Sequence, residues 1–428
     1  MKVLAIWILT FAVSFISIKD WHKGVCVLIA FTGIYSHALM PTNTLGVQGL
    51  NPWNLILIFT LLGFIFRDKS DERKAALGGG VLILVLLYIS ISQLSSIRLL
   101  FDFESLSYWG RSDTIVQIVS DRMINRFKWI IPGVLVFLGA YSYESQRHTL
   151  LAILIAYILI GVVVVSRVPI GSVLSDLDFN RHSLKVLEQA FGWSRVNTAM
   201  MLSGGAWLSL IIGPKVFPQR FKYVNIVIFA FLTFALALTG GRAGYLAWAV
   251  LGLFLTIYKW RKGILVIPIF IIAVVTFMPF VVDRVLSGID SDSANMEVSD
   301  VDAATSGRAI AWPVVIDKIK ESPWLGYGGM AMIRTGAYEE VRKIQNLSKD
   351  DRGFPHPHNA YLRLLLDAGL LGAAPLLLFW VIALRQGFKL SGRKRSAPDQ
   401  LVGLTFLIIF LSLLVTGISS QDFYPTQG

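Results

Sequence analysis

The amino-acid sequence predicts an all-α polytopic membrane protein, and two observations lead to this fold class. Hydrophobic residues make up 55% of the 428 residues and charged residues only 15%, whereas a soluble domain carries roughly a quarter charged residues. The apolar residues fall into continuous runs of roughly the 20 residues that a helix needs to cross a bilayer. Because membrane strands alternate polar and apolar residues, these runs indicate helices.

About twelve such runs follow one another along the chain, separated mostly by short polar segments. The predicted spans are residues 3–18, 24–40, 52–66, 77–97, 128–144, 149–165, 196–213, 222–239, 243–258, 263–282, 368–387 and 400–418. The first run could be a signal peptide, but it has no small-residue cleavage site before Asp20, so we expect it to remain as a helix. Cys26, the single cysteine, excludes a disulfide-stabilised scaffold.

Lysine and arginine concentrate in short loops that fall on one face of the predicted bundle. The four most basic loops contain Arg67–Lys74, Lys215–Lys222, Lys259–Lys262 and Arg385–Arg395. Cytoplasmic loops carry an excess of these residues, so we assign this face to the cytoplasm and both termini to the opposite side. Topology therefore accounts for the net charge of +12. In a soluble protein that charge would indicate a nucleic-acid partner, which we do not expect here.

Three longer polar stretches lie on the opposite face, and the longest has room for a small extramembrane subdomain. They are residues 98–127, 166–195 and 283–357. The apolar spacing from Ala309 to Glu321 predicts a surface helix that ends before Pro323. We therefore divide the chain into residues 1–282 with transmembrane helices 1–10, residues 283–357 as an outer loop with surface helices, and residues 358–428 with a re-entry helix and transmembrane helices 11–12.

Two arginines are candidate functional residues because of where they fall. Arg242 lies in the segment Thr239–Gly244, TGGRAG, between two spans joined by almost no loop. An arginine there is costly unless it is paired or faces water, and the flanking glycines allow a ligand to approach the backbone. A snorkelling arginine at a tight turn is the alternative. Arg308, in Ser306–Trp312, is the second candidate, with a solvated loop arginine as its alternative.

Two histidines lie in the segment Phe354–Leu362, FPHPHNAYL, just before a predicted helix. A zinc site at His356 and His358 is disfavoured, since Pro357 separates them and no third ligand has a recognisable spacing. A histidine at the membrane edge is suited to proton abstraction because its ordinary pKa is about 6.5; a capping or packing role is the alternative. Asn359 could cap the following helix.

A third arginine, Arg195, starts another predicted helix in the sequence GWSRVN, together with Asn197. These residues could form an anion site at the helix start, or a plain interface anchor next to Trp193. The sequence has no glycine-rich nucleotide loop with a lysine, no acidic pair at metal spacing and no readable Ser-His-Asp order. Nucleotide-driven mechanisms are therefore disfavoured.

Taken in order, these motifs resemble the O-antigen ligase and O-antigen polymerase superfamily of bacterial envelope glycan assembly. The matching segments are Gly241–Gly244 (GRAG), Gly307–Trp312 (GRAIAW), Pro323–Gly328 (PWLGYG), His358–Leu362 (HNAYL) and Gly369–Gly372 (GLLG). The resemblance covers about residues 230–375, and the sequence NPWN at Asn51–Asn54 adds a weaker match.

The resemblance implies a GT-C-type membrane glycosyltransferase of lipopolysaccharide biosynthesis, with about twelve transmembrane helices and a long periplasmic loop between helices 10 and 11. It implies an inner-membrane enzyme whose active site faces the periplasm and which needs no metal or other cofactor. The implied donor is a glycan on undecaprenyl diphosphate, and the implied acceptor of a ligase is lipid A-core. We expect no other partners than these substrates and the membrane lipids, and we expect inversion at the anomeric centre.

By resemblance, His358 would be the general base, while Arg242 and Arg308 would hold the diphosphate. Arg195 would add a further phosphate contact. His356 leaves the choice of base open. We also include His356, Asn359 and Asn197 in the expected substrate-binding set.

Other functions remain open at this point. A polymerase that extends a lipid-linked chain would share the donor and the motifs, as would a protein O-glycan ligase. A flippase or other transporter would need charges along a path through the bilayer. The candidate charges cluster at one face of the predicted bundle instead, which favours an enzyme.

Overall fold

The computed structural model of the chain describes most of the predicted helices. Described are residues 2–35, 37, 40–41, 43–44, 47–67, 79–101, 115–139, 142–168, 186–187, 189, 195–217, 223–266, 272, 275–276, 281–282, 308–347 and 356–419. The structural statements that follow refer to these residues.

The fold is all-α apart from one short hairpin, in which β1 (Asn43–Thr44) pairs antiparallel with β2 (Val47–Gln48). The helices are α1 (Lys2–Lys19), α2 (Trp21–Thr32), α3 (Pro52–Ile65), α4 (Gly79–Phe101), α5 (Ile115–Ile118), α6 (Asn125–Gly139), α7 (Tyr143–Arg167), α8 (Arg195–Val216), α9 (Val224–Thr239), α10 (Arg242–Tyr258), α11 (Arg308–Glu321), α12 (Ala331–Arg334), α13 (Ala337–Ile344), α14 (Ala360–Ser391) and α15 (Ala397–Gly417). A π-helical turn (Val119–Ile124) joins α5 to α6, and a 3₁₀ segment (Arg261–Val266) follows α10.

The predicted all-α membrane fold is confirmed, and most described helices overlap the predicted spans, whereas the GT-C architecture stays a prediction. Within the described ranges, four helices are long and apolar enough by themselves to cross a membrane. These are α7, α8, α14 and α15. The predicted span at 263–282 falls largely outside the described residues. The total of twelve transmembrane helices and the division into three regions stay predictions.

Some helices begin or end at other residues than predicted, because a capping side chain fixes where a helix starts. The span predicted at 24–40 begins earlier, as α2, because the Asp20 carboxylate accepts a hydrogen bond from the Lys23 N–H. The span predicted at 128–144 ends at Gly139, because Ser142 already caps α7. Hydropathy alone does not register these short polar signals.

Helix α8 lies at the centre of the bundle and packs against α7, α9, α10 and α15. Its glycines allow close approach, since a Cβ on Gly205 would meet the Tyr157 ring and a Cβ on Gly213 would meet Asn225. Small residues serve the same purpose in other membrane helix interfaces. The N-terminal end of α8 is thereby fixed relative to its neighbours.

A backbone junction shapes the start of α14. The helix is kinked at Gly369, whose φ and ψ are 62° and −171°, a conformation almost restricted to glycine. The turn before α12 packs against the kink and pairs with its backbone. The Tyr327 N–H donates to the Leu366 carbonyl at 2.9 Å, and the Gly328 N–H donates to the Asp367 carbonyl at 2.7 Å. A Cβ on Gly369 would overlap the Trp324 backbone. Backbone groups that the kink would leave unpaired are thus satisfied.

The helix predicted from Ala309 to Glu321 is confirmed as α11, which ends at Glu321 just before Pro323, and its location on the membrane surface stays a prediction. Together with α12, α13 and the first turns of α14 it forms its own small apolar core around Val315, Met332 and Val341. This packing holds α11 and the beginning of α14 side by side.

Candidate active site

Three arginines lie at the N-terminal ends of the described helices. Arg242 is the first residue of α10, and Arg195 and Arg308 are the first described residues of α8 and α11. The first turn of a helix carries unpaired N–H groups and the positive end of the helix dipole. A cation is therefore unfavourable at Arg242, whereas an anion there would be bound by both the helix end and the guanidinium.

A left-handed turn between α9 and α10 sets the position of Arg242. Gly240 ends α9 with a φ of 65°, a conformation that glycine adopts readily. The buried Thr239 Oγ1 accepts a hydrogen bond from the Gly241 N–H at 3.2 Å. The two helices are joined without a longer loop, so Arg242 is held at a defined turn.

Close packing of α10 on α8 brings Arg242 near Arg195. A Cβ on Gly241 would come within 2.6 Å of the Ala199 Cβ, and a Cβ on Gly244 within 2.5 Å of the same atom. The glycines therefore allow α10 to begin directly against the first turn of α8. As a result, the charges of Arg242 and Arg195 lie close enough to interact.

Arg308 joins this cluster from the start of α11. Burial lowers the pKa of the half-buried guanidinium, and the positive charge of Arg242 lowers it further. One turn later, the Trp312 indole Nε1–H donates a hydrogen bond to the Pro357 carbonyl at 2.9 Å. This bond fixes α11 against the segment that carries the two histidines.

His358 combines an uncommon backbone conformation with a low proton affinity. Its φ of 48° lies in the left-handed region, which few residues other than glycine adopt. Its ring centroid lies 4.4 Å from that of His356, with the ring planes tilted by 50°. Burial and the charges of Arg308 and Arg363 lower the pKa of His358 to about 4. The imidazole is therefore neutral at neutral pH.

The structure brings the predicted catalytic residues together, but it gives Asn359 a structural role. The Asn359 Oδ1 accepts hydrogen bonds from the Tyr361 and Leu362 N–H groups at 3.0 and 3.1 Å. The predicted cap of α14 is thus confirmed. Asn197 lies half-buried on the first turn of α8, two residues after Arg195. Substrate contacts of Asn359, Asn197 and His356 stay predictions.

The sequence analysis missed one ion pair next to this cluster. Arg363 Nε lies 3.6 Å from Asp367 Oδ2, and only 9% of Arg363 and 2% of Asp367 are exposed. Opposite charges four residues apart in an otherwise apolar helix were a usable signal. Trp193 and Gly307, which the sequence motifs include, lie outside the described residues.

No group of three or more His, Cys, Asp and Glu side chains that could hold a metal ion occurs within the described residues. The histidine pair therefore gains no third protein ligand from this part of the chain. The arginines supply fixed positive charge at the same place.

Comparison with known families gives a match in the second half of the chain. Residues 227–377 match the family model described as O-antigen ligase. The matched segment starts in α9 and ends in α14, so it contains Arg242, Arg308 and the histidine segment, whereas Arg195 lies before it. No curated protein matches the chain. The resemblance inferred from the motifs is confirmed.

Proposed function

Because residues 227–377 match the family model described as O-antigen ligase, we propose that the protein transfers a glycan from undecaprenyl diphosphate to lipid A-core. The observation that carries this proposal is the cluster of Arg195, Arg242 and Arg308 beside a neutral histidine. Several guanidinium groups in one place are suited to binding a diphosphate leaving group.

The arginines act on the leaving group. When the bond between the anomeric carbon and the phosphate oxygen breaks, its electron pair leaves with undecaprenyl diphosphate. Guanidinium groups match phosphate oxygens in charge and in geometry. Arg242 and Arg308, with Arg195 behind them, provide charges that are already in place where negative charge develops.

His358 acts on the acceptor. A hydroxyl oxygen of lipid A-core attacks the anomeric carbon from the side opposite the diphosphate, and its proton passes to the neutral imidazole. The products are the new glycosidic bond, undecaprenyl diphosphate and a proton that leaves the ring for water. Attack from the opposite side inverts the anomeric centre.

The location of the cluster supports a periplasmic active site. Helices α8, α10 and α14 all start at the cluster, and their other ends reach the basic segments around Lys215, Lys259 and Arg395. Two of these distant ends touch: Tyr258 Oη and Ser391 Oγ share a hydrogen bond of 2.9 Å. Since basic loops lie in the cytoplasm, the arginine cluster faces the other side.

Transfer by the purified protein in liposomes tests the proposal. The donor is an undecaprenyl-diphosphate glycan, supplied with and without lipid A-core, and the variant is His358→Ala. His148→Ala is the matched control, because this half-buried histidine lies near the start of α7, away from the cluster. Product that needs both lipid A-core and His358 supports a ligase.

Two other results would change the assignment. A lengthening glycan ladder without lipid A-core would identify a polymerase that uses the same residues. Movement of the intact donor across the bilayer without cleavage of the diphosphate bond would contradict the enzymatic proposal and indicate a transporter.

A further inference from the structure

Large apolar side chains are exposed where the subdomain of α11–α13 meets the kink of α14. Trp324 and Leu325, which follow α11, are 62% and 58% exposed. Leu370 and Leu371, which follow the kink, are 44% and 56% exposed. The proposed reaction uses none of these side chains, and an exposed apolar patch indicates contact with another molecule or with a membrane.

Backbone hydrogen bonds join the two pairs of residues directly. The Leu370 N–H donates to the Pro323 carbonyl at 2.8 Å. The Leu371 N–H donates to the Trp324 carbonyl at 3.1 Å. The turn after α11 therefore lies beside the first turn of α14 after the kink, and the exposed side chains form one surface. We call this surface the junction patch; it consists of Trp324, Leu325, Leu370 and Leu371.

Helix α4 holds the same turn from another side. Arg98 Nη1 donates hydrogen bonds to the carbonyls of Leu325 and Gly326 at 3.3 and 3.1 Å. The Gly329 N–H donates to the Ser95 carbonyl at 3.0 Å. The backbone of the turn is thus bound to two apolar helices, α4 and α14. These bonds keep the turn in place while its large apolar side chains remain exposed.

The junction patch continues an exposed apolar face of α14. The part of this helix from Gly369 to Ser391 is long enough to cross a bilayer. Further along it, Leu377, Leu378 and Val381 are 43%, 51% and 63% exposed. These positions and those of the two leucines after the kink recur at the spacing of one helix face. Such a face on a membrane-spanning helix contacts lipid, and the turn after α11 extends it toward the site.

We propose that the junction patch lies in the hydrocarbon of the leaflet at the site end of the helices and anchors the subdomain of α11–α13 to the bilayer. Bulk lipid is the partner, because the patch is continuous with the exposed face of α14 and contains a tryptophan, a residue enriched at membrane interfaces. The anchor fixes the height of α11, and with it Arg308, relative to the membrane. It does not depend on which reaction the protein catalyses.

Another side of α11 provides a reference that faces water. Lys320 Nζ lies 2.8 Å from Asp317 Oδ1, and the two side chains are 71% and 69% exposed. Exposed charges of this kind are costly in hydrocarbon. The anchor therefore predicts a sharp change of environment between Lys320 and Leu325, which are close in sequence.

Spin labels measure this change, and the single cysteine makes the labelling selective. In a Cys26→Ala background, Leu325→Cys carries a nitroxide in liposomes of phosphatidylcholine and phosphatidylglycerol. Leu371→Cys is the lipid-facing reference, and Lys320→Cys is the matched water-facing control. Oxygen concentrates in hydrocarbon, whereas a nickel chelate stays in water. The ratio of oxygen to nickel collisions in Leu325→Cys should match that in Leu371→Cys and exceed that in Lys320→Cys several-fold. A ratio as low as that of the control would overturn the proposal.

Further measurements distinguish lipid from other partners and keep the test valid if Leu325→Cys does not fold. Trp324→Cys in the same background is the second position and should give the same high ratio. Dipolar coupling between labels at a low ratio of protein to lipid would overturn the proposal, because the patch would then face a second copy of the chain. A ratio that becomes high only after undecaprenyl phosphate is added would also overturn it, because the patch would then bind a polyprenyl chain rather than bulk lipid.

Discussion

The two ends of helices α8, α10 and α14 carry cations in opposite electrostatic settings. At the basic end, Lys215 and Lys389 lie in the last turns of α8 and α14 and are exposed. A cation at a helix C-terminus is favoured by the helix dipole. At the site end, the half-buried Arg242 is the first residue of α10, where the dipole disfavours it, and the half-buried Arg195 of α8 lies close enough to interact with it.

The difference distinguishes two uses of the same residue types. Cations that lie where the helix dipole favours them orient the protein in the membrane and need no ligand. Cations that lie close to each other at a helix start and are partly removed from water are suited to binding an anion. The electrostatic environment of these cations, more than their residue type, distinguishes the candidate site from the basic loops that set the membrane topology.

The largest expected effect is the contrast between an alanine at the site and an alanine at the basic end. Arg308→Ala should reduce the rate of transfer about 10²–10³-fold, because it removes a preorganised cation from the leaving group. Arg395→Ala, in the exposed segment before α15, should leave the rate unchanged. Rates in proteoliposomes, normalised to folded protein, measure both. An equal loss of transfer rate in the two variants would contradict the proposed difference between the site end and the basic end of the helices.

The kink of α14 should show a large effect on stability. Gly369→Ala should destabilise the protein by about 3 kcal/mol or more, because its backbone conformation excludes a side chain and the new Cβ would overlap Trp324. Gly336, with a φ of 74° and open space around it, is the matched control and should cost about 1 kcal/mol as alanine.

Thermal unfolding in detergent compares the two glycine variants. Similar unfolding temperatures for Gly369→Ala and Gly336→Ala would show that the junction does not hold the start of α14.

A subtler change at the site tests whether charge alone is sufficient. Arg242→Lys keeps the cation but loses the planar fork that binds two phosphate oxygens at once. We expect about a tenfold loss of transfer, smaller than the loss in Arg242→Ala. Full activity of the lysine variant would mean that Arg242 acts as a point charge.

The pH dependence of transfer should reflect the burial of His358 and the positive charges near it. Since the pKa of His358 is lowered to about 4, the ring loses its ability to accept a proton only as the pH falls through about 4. At pH 5 about nine-tenths of the free enzyme should keep a neutral base, compared with a few per cent for a histidine of ordinary pKa. Measuring kcat/KM from pH 4 to 8 checks this, and an acid limb centred near pH 6.5 would contradict the assignment of the base.

Much of the site could be predicted from the sequence, because charged and titratable residues are energetically costly in a membrane protein and are easy to recognise in an apolar chain. Arg242 and Arg308 stood out next to glycines at predicted helix ends, and His358 stood out before a predicted helix. The sequence did not show how Arg242 is held against α8, because its position depends on the turn at Gly240 and on helix packing rather than on hydropathy.

One further feature required the fold. The contact of Gly326 with Gly369 joins segments that are far apart in sequence, and no local pattern pairs them. The ion pair of Arg363 with Asp367 is local, four residues apart in one helix, so the sequence did carry a signal for it. Only its burial required the fold.

The binding of undecaprenyl diphosphate to the wild type, Arg242→Ala and Arg395→Ala tests the central claim most directly. Titration of the lipid into each protein in nanodiscs gives the dissociation constants. If the site end of the helices holds the diphosphate, Arg242→Ala should weaken binding about tenfold or more, and Arg395→Ala should bind like the wild type. Equal affinity in all three proteins would contradict the claim that the arginine cluster is the diphosphate site.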